Sequence, residues 1–525
     1  MDEKKGREES ERAFGRRDVL KSLASLPVAG AFFLSYVEKK RKEERRRKEI
    51  LDELGLEQAE AAELPLSPRK KPAELIRLGI IGVGGRGEHL LRCVGFVHPD
   101  WVESKRIQAE ENRLNRDLRT FLEQEDLNVA LTAVCDIYDP RAERGLVASQ
   151  NALRDGEIKS VSGARRYHHY EELLKSPDVD AVIIATPDHW HAQMAIDAVA
   201  AGKHVYLEKC MTRTAEEAVK LYEAVKASRI IFQLGHQQRQ QESHQKARFI
   251  VAKDILGKIT LVQTTTNRNS PDGAWQYEIP AEAGPHNIDW EQFLGPAPHR
   301  VPFDVYRFFR WRCWFDYGTG LAGDLLSHEF DAVNQILELG IPRFATASGG
   351  IYFFKDGRDV PDVFHATLEY PDRELTLFYS ATLSSNRSRG RLFMGHDASM
   401  EVGETLVVTA DPESTRYREK YLSEVIDTSL PLFTFRPGGR GIDTVTSASE
   451  RYFASRGLLY SYKDGKRVDI SHLHLKEWLE CIREGRQPSC NIERGFEEAI
   501  ACHMATESYL RGRRVEWDPV RRQIV

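Results

Sequence analysis

The sequence predicts an α/β chain in which a parallel sheet is followed by a domain of alternating, antiparallel strands. Three observations predict it. First, Asp180–Thr212 reads as strand, helix and strand: an apolar run Ala181–Ala185, a helical repeat that places Met194, Ala195, Ala198 and Val199 on one face, Gly202 as terminator, then His204–Leu207. A unit of this length is a parallel crossover. Its polar turns, Thr186-Pro187-Asp188-His189-Trp190-His191 and Glu208-Lys209, fall at the C-terminal strand edge, where open α/β sheets bind ligands. Second, from about His236 the pattern changes to strand-like runs, Ile259–Thr266, Phe344–Phe354, Val363–Tyr370 and Glu374–Thr382, several of which alternate as strands with one open face do. Third, 525 residues exceed what one core organises.

Residues 1–37 read as a targeting segment. Phe14-Gly15-Arg16-Arg17-Asp18-Val19-Leu20-Lys21 matches the twin-arginine signal pattern, the apolar stretch Leu23–Val37 follows, and Ala29-Gly30-Ala31 offers a small-residue cleavage site. The stretch is short for a spanning helix, which needs ~20 apolar residues. The expectation is export by the twin-arginine route to the periplasm, the leader being either cleaved or kept as an anchor, with membrane contact through this segment only. The basic run Lys39–Lys48 favours the cytoplasmic side and keeps a cytoplasmic protein as the alternative. Residues 38–74 are charged, Ala/Glu-rich and closed by Pro65, Pro68 and Pro72, the pattern of an exposed helix and a linker.

Residues 75–235 form the predicted dinucleotide-binding domain, a Rossmann unit. Strand Leu75–Ile81 runs into Gly82-Val83-Gly84-Gly85-Arg86-Gly87 and then a helix. Gly82 permits the tight turn, Gly84 lets backbone approach a pyrophosphate, and Gly87 lets helix and strand pack closely. Strand Val129–Cys135 ends at Asp136, whose carboxylate suits the adenosine ribose and favours NAD. Arg141 leaves room for NADP. The excess between the glycines and Asp136, His98–Asn128, is polar and reads as an insertion. Helices are expected over Tyr167–Asp178 and Thr214–Ser228, the latter capped by Thr214, and a strand over Arg229–Leu234 that brings Gly235–Arg239 to the same edge.

Residues 236–525 form the second domain. Arg307–Asp331, RFFRWRCWFDYGTGLAGDLLSHEFD, is dense in aromatic rings and guanidinium groups, which suits either a sugar site or a buried aromatic cluster. Asp324 and His328 lie four apart on an expected helix Asp324–Leu339, which puts both on one face. Asp397–Gly465, with Arg436–Gly441 rich in Pro and Gly, reads as long loops, and Ser471–Arg513 as helices. A formal charge of −5 argues against nucleic acid as the main partner. Seven scattered cysteines without a CxxC predict neither disulfides nor a metal site.

As an ordered set, GVGGRG, CDIYDPR, ATPDHWH, GKHVYLEK and GDLLSHEFD resemble the glucose–fructose oxidoreductase / inositol dehydrogenase (Gfo/Idh/MocA) family over most of Leu75–Asp518. The resemblance implies a Rossmann NAD(P)-binding domain, then an α+β domain with a large open, mainly antiparallel sheet over the nicotinamide, commonly a subunit interface. It implies a homo-oligomeric NAD(P)-dependent oxidoreductase that moves a hydride between nicotinamide and a secondary alcohol of a sugar, cyclitol or sugar derivative. Lys209, Asp324 and His328 become the catalytic trio: His328 the general base, Lys209 the holder of the hydroxyl and of developing negative charge, Asp324 the orienter. Cofactor contacts are expected at Gly82, Gly84, Arg86, Gly87 and Asp136, at Thr186, Pro187, His189 and His191, and at Glu208, Lys209 and Gln237. Substrate contacts are expected at Arg239, Trp311, Arg312 and Tyr317. One departure stands out: where the family has Glu-Lys-Pro, often with a cis bond, this chain has Glu208-Lys209-Cys210. A cis bond before a non-proline residue costs ~3 kcal/mol, so a trans bond is expected. Cys210 is either a reactive thiol beside the cofactor or a small buried residue. Two other functions fit the same residues: a redox-neutral NAD-dependent glycosidase, and a non-catalytic NAD-binding scaffold or sensor.

Overall fold

A computed structural model of the chain describes residues 27–61, 74–112, 115–387, 390–427, 430–436, 460–463 and 466–525. The twin-arginine pattern Phe14–Lys21 and all of the Arg436–Gly441 stretch but Arg436 lie outside the described residues. Among the described residues no helix is long and apolar enough to cross a membrane.

The first domain is a six-stranded parallel sheet in the order Arg165–Tyr167, Val129–Cys135, Ile76–Ile81, Ala181–Ile184, His204–Leu207, Phe232–Leu234. Ala181–Ile184 is buried at every position because helices cover both faces of the sheet. Helix Ala215–Lys226 starts at a capping box: the Thr214 hydroxyl accepts from Glu217 N–H, and the Glu217 carboxylate accepts from Thr214 N–H. Two expected elements are shorter. The strand expected from Arg229 begins at Phe232, and the helix expected over Tyr167–Asp178 covers Tyr170–Lys175, Tyr167 belonging to an edge strand instead. The insertion folds as helices Pro99–Glu111 and Asp117–Leu122, linked by a Lys105–Asp117 ion pair at 3.1 Å.

The second domain carries a ten-stranded sheet, Phe433–Phe435, Leu406–Ala410, Ala398–Val402, Arg391–Gly395, Ile259–Asn267, Leu375–Thr382, Val363–Tyr370, Phe344–Gly350, Val515–Asp518 and Gln523–Ile524. It is antiparallel except where Ile259–Asn267 meets Leu375–Thr382. Val363–Tyr370 alternates strictly between buried and half-buried positions, so one face packs on the core. Helices Ser327–Leu337 and Ile492–Arg511 cover that face. Helix Ile470–Glu484 returns to the first domain, where Leu475, Trp478 and Leu479 join the core of Ile80, Leu90 and Tyr206.

Two expectations are corrected. The segment expected to be an exposed helix and linker is docked at its C-terminal end. Helix Pro27–Glu53 buries Ile50 and Leu51, and Leu56 and Ala59 follow them into the core. Lys246 donates to the Ala59 carbonyl, and Arg46 Nε to the Glu424 carbonyl at 3.2 Å. The apolar positions close to the linker decide the matter: charge dominates the helix, but these side chains need cover. The helix expected from Asp324 is also interrupted. Ala322–Leu326 is a π-turn, and the α-helix begins at Ser327. Such wide turns are common at functional sites.

Candidate active site

A cleft of about 790 Å³ opens at the C-terminal edge of the parallel sheet, walled on the other side by the second domain. Its floor is the glycine loop. Gly82 has φ +90°, and a Cβ there would sit 2.6 Å from the Ala185 carbonyl oxygen. A Cβ on Gly87 would press into the Gly82 carbonyl oxygen. Helix Gly85–Cys93 starts from this loop with no side chain capping its first N–H groups, which leaves them for an anion in the cleft. Gly84 also lines the cleft.

Asp136 lines the cleft and fastens the loop. Its Oδ2 accepts Val83 N–H at 2.6 Å and its Oδ1 accepts Tyr138 N–H at 2.9 Å. Burial raises its carboxyl above the usual range, and Arg141 with the two N–H groups offsets part of that. The Arg141 guanidinium lies 5.6, 5.5 and 5.1 Å from the Tyr138, Phe308 and Phe309 rings, on the same wall. Arg86 ties the loop to the far turns, donating to Glu208 Oε1 at 2.8 Å, Gln237 Oε1 at 3.2 Å and Ser471 Oγ at 3.2 Å. It also donates to His89 Nδ1 at 3.0 Å. The other His89 nitrogen meets Asp469 at 2.8 Å, and His89, Cys93 and Asp469 lie within 4.8 Å of one another. Burial pushes the Cys93 thiol well up, and both His89 nitrogens are taken, so this group serves to hold Arg86.

The three expected catalytic residues meet at the inner end. Lys209 Nζ donates to Asp324 Oδ1 at 2.7 Å and to the Asp324 carbonyl at 2.9 Å. Arg312 Nε reaches Oδ1 at 3.0 Å and Trp275 Nε1 reaches Oδ2 at 3.0 Å. Burial would raise the Asp324 carboxyl, but the Lys209 and Arg312 cations hold it well below the usual range. Burial would lower the Lys209 ammonium, but Asp324 raises it. His328 lines the cleft; its Nδ1 is buried without a hydrogen-bond partner among the described residues, while Nε2 is not in that position. Burial, then the Lys209 charge and His236, hold its imidazole well below the usual range, which keeps it neutral in the resting site.

The Lys209–Cys210 bond is cis, where a trans bond was expected. Cys210 is buried with its sulfur accepting from Thr319 Oγ1 at 3.1 Å, and burial pushes its thiol well up. It is a small buried residue, not a reactive thiol.

Of the expected contacts, Glu208, Lys209, Gln237, Thr186, Pro187, Trp311 and Arg312 line the cleft, with the Arg312 guanidinium 4.1 Å from the Trp311 ring. Five expected contacts do not line it. Gly87 packs against the Gly82 carbonyl beneath the loop. Arg239 is buried in a forked ion pair with Asp331, at 2.8 and 2.6 Å, and donates to the Ser489 carbonyl. Tyr317 is fully buried against Phe293, its ring 4.9 Å away. His189 has Nε2 on the Phe293 carbonyl at 2.7 Å, and burial lowers its imidazole to about 4. His191 has one ring nitrogen on the Cys210 carbonyl at 2.5 Å and the other on the Thr186 carbonyl at 2.8 Å, so it joins the two turns from beneath. Sequence reasoning missed Trp275, which holds Asp324, and Tyr277 and Glu278 in the cleft wall. The only signal was the aromatic–acid run Ala274-Trp275-Gln276-Tyr277-Glu278 in a stretch without periodicity.

Residues 76–236 match the oxidoreductase family Gfo/Idh/MocA, NAD-binding Rossmann fold, and residues 250–517 match its C-terminal alpha/beta domain. The NADP(+)-dependent scyllo-inositol 2-dehydrogenase IolW of Bacillus subtilis is 24% identical over 338 residues, 63% of this chain and 82% of that enzyme. Glycosyl hydrolase family 109 protein 1 of Shewanella sp. is 32% identical over 149 residues, 28% of this chain and 25% of that protein. Levoglucosan dehydrogenase in complex with NADH and levoglucosan has the same fold, with a TM-score of 0.54 at 18% identity over 84% of this chain and 99% of that one. With both domains matched in order and the glycine cradle formed, the chain belongs to the Gfo/Idh/MocA oxidoreductase family.

Proposed function

We propose that the chain oxidises a secondary alcohol of a sugar, cyclitol or sugar derivative, or reduces the corresponding ketone, with NAD or NADP. The observation that carries this is the meeting of Lys209, Asp324 and His328 at one end of a cleft whose other end is the glycine cradle. The loop N–H groups, Asp136 and Arg86 would hold the dinucleotide. Bound nicotinamide supplies the hydride acceptor or donor. His328 Nε2 takes the hydroxyl proton. Lys209, kept cationic by Asp324, holds the hydroxyl oxygen and stabilises the charge that grows on it. Trp311 and Arg312 offer a ring face and donors to a polyol. Arg141, on the wall beside Gly84, is placed for a 2′-phosphate, while Asp136 favours a free ribose hydroxyl.

The test is optical. The protein is mixed with NAD or NADP and a panel of sugars, cyclitols and glycosides, and both reduced nicotinamide and released sugar are followed. Accumulation of reduced nicotinamide without bond cleavage supports the oxidoreductase. Glycoside cleavage without net reduction moves the function to a redox-neutral glycosidase; one relative, from Shewanella, is named a glycosyl hydrolase.

We further infer export by the twin-arginine route, on the strength of Arg16-Arg17 before the apolar stretch Leu23–Val37. Cell fractionation of the full chain and of its Arg16→Lys/Arg17→Lys variant tests it; retention of the variant inside and release of the parent outside the inner membrane is expected. We also infer a homo-oligomer that uses the outer face of the ten-stranded sheet, where His365, Thr367 and Phe378 stay half-exposed on long, regular strands. Light scattering on the purified chain gives its mass in solution.

A further inference from the structure

Behind His328 lies a pair of buried titratable groups that the mechanism above does not use. His236 follows strand Phe232–Leu234 and is 1% exposed. Its ring stands edge-on to that of His328, centroids 5.4 Å apart at 88°. Among the described residues neither ring nitrogen has a hydrogen-bond partner. Glu498, on helix Ile492–Arg511, is 1% exposed and brings Oε2 to 3.6 Å from His236 Nε2. That oxygen is unpartnered too, while Oε1 accepts the Cys502 thiol at 3.3 Å. His328 Nδ1 completes the set, buried and, among the described residues, unpartnered.

Unspent hydrogen-bonding atoms are rare inside proteins and costly. Here they fall on three neighbouring residues from three separate elements, and one of the three faces the cleft. A packing role would be served better by apolar side chains. The groups around His236 are accounted for: Asp331 is held by Arg239, His474 Nε2 meets the Leu234 carbonyl, and Lys209 is held by Asp324. Glu498 is therefore the carboxylate left to answer a charge on His236.

We propose that His236 and Glu498 are positioning residues that receive, through His328, the proton released when the alcohol is oxidised. The inference rests on the oxidoreductase reading. In the step, the carbon-bound hydrogen would leave with its electron pair as hydride, for which a bound oxidised nicotinamide would be the acceptor, and the hydroxyl proton passes to His328 Nε2. His328 then releases the proton on Nδ1 toward His236, a transfer for which the two rings must close to hydrogen-bond distance, and the imidazolium so formed faces the Glu498 carboxylate 3.6 Å away. His328 thus does not remain as a second cation beside the Lys209 ammonium. In reduction the same path runs backward and supplies the proton.

The test compares the parent with Glu498→Gln and His236→Gln. For each we would measure kcat/KM against pH, the solvent isotope effect in mixtures of light and heavy water, and the histidine ring nitrogen resonances by NMR without substrate. Both variants should lose kcat by roughly 10- to 100-fold, part of the usual worth of an acid–base group, with KM little changed. Glu498→Gln should move the acid limb of kcat/KM to lower pH, because a negative charge that favours the imidazolium is gone. It should also shift the His236 resonances. The parent should show a curved isotope dependence, the sign of more than one proton in flight. An unmoved acid limb and unmoved resonances in Glu498→Gln, or a linear dependence in the parent, overturn the proposal. The parent measurement decides even where a variant does not fold. If the parent oxidises nothing in the panel, the oxidoreductase reading fails, and the relay falls with it.

Discussion

A side chain at position 87 has no room, because its Cβ would meet the Gly82 carbonyl on the next turn of backbone. Gly87→Ala must push helix Gly85–Cys93 off the loop, and the N–H groups that would bind phosphate go with it. The expected outcome is a folded protein by circular dichroism whose dissociation constant for NADH rises at least ~10-fold, about 1.4 kcal/mol, in a fluorescence titration. Lys209→Met removes the cation from Asp324 but leaves Arg312 and Trp275 on that carboxylate. Loss of a group that stabilises developing charge typically lowers kcat by about 10²–10³-fold, and steady-state kinetics on the oxidised sugar would show it. A kcat within a factor of three of the parent would remove Lys209 from the chemistry. At this scale the sequence was legible wherever a residue's partners are local. The glycine loop is one continuous run, and Asp136 ends the strand next to it. Legibility failed where partners are remote. Nothing near Arg239 reveals Asp331, 92 residues on, and nothing near His189 reveals the Phe293 carbonyl, 104 residues on. Both look like cleft residues until those distant groups claim them.

Elements were legible when their apolar pattern ran without interruption. Val129–Cys135, His204–Leu207 and Val363–Tyr370 occupy the residues expected of them, since each is bounded by polar residues or proline. The π-turn at Ala322–Leu326 was not legible, because a wide turn and an α-turn share the same residue preferences and differ only in which carbonyl is reached. The N-terminal helix is exposed over most of its described length, as expected, but its docked end was not legible for another reason. Its charge density describes most of the helix, while Leu51 and, just beyond it, Leu56 decide where it goes. Leu56 is fully buried, and Leu56→Ala should cost about 2–4 kcal/mol, read as a lower midpoint in urea at unchanged slope. An unchanged midpoint would mean that the helix lies free of the second domain in solution.

For the whole molecule, stability should depend on pH through histidines that burial keeps neutral in the fold near neutral pH. Burial lowers His189 to about 4, His244 to about 3 and His503 to about 3. In the unfolded chain each titrates near ~6.5. Between those values the unfolded chain binds protons that the folded one refuses, so stability is complete above about pH 6.5 and is lost as pH falls toward 4. Thermal melts from pH 8 to 4.5 should show a flat Tm above neutrality and a steady fall below it. A Tm that rises on acidification would contradict the buried, neutral state of these rings.

Helix Ile470–Glu484 has an implication for how such proteins can be taken apart. The chain leaves the first domain after Leu234, returns some 230 residues later to set Trp478 5.7 Å from the Tyr206 ring, and leaves again for Ile492–Arg511. The apparent seam at residue 236 is therefore a seam in the sequence and not in the hydrophobic interior. A fragment cut there would carry Ile80, Leu90 and Tyr206 with one wall missing. Swapping nucleotide-binding halves between relatives at that boundary pairs a sheet from one parent with a covering helix from the other. Chimaeras that keep Ile470–Glu484 with its own sheet are the ones whose interiors still fit.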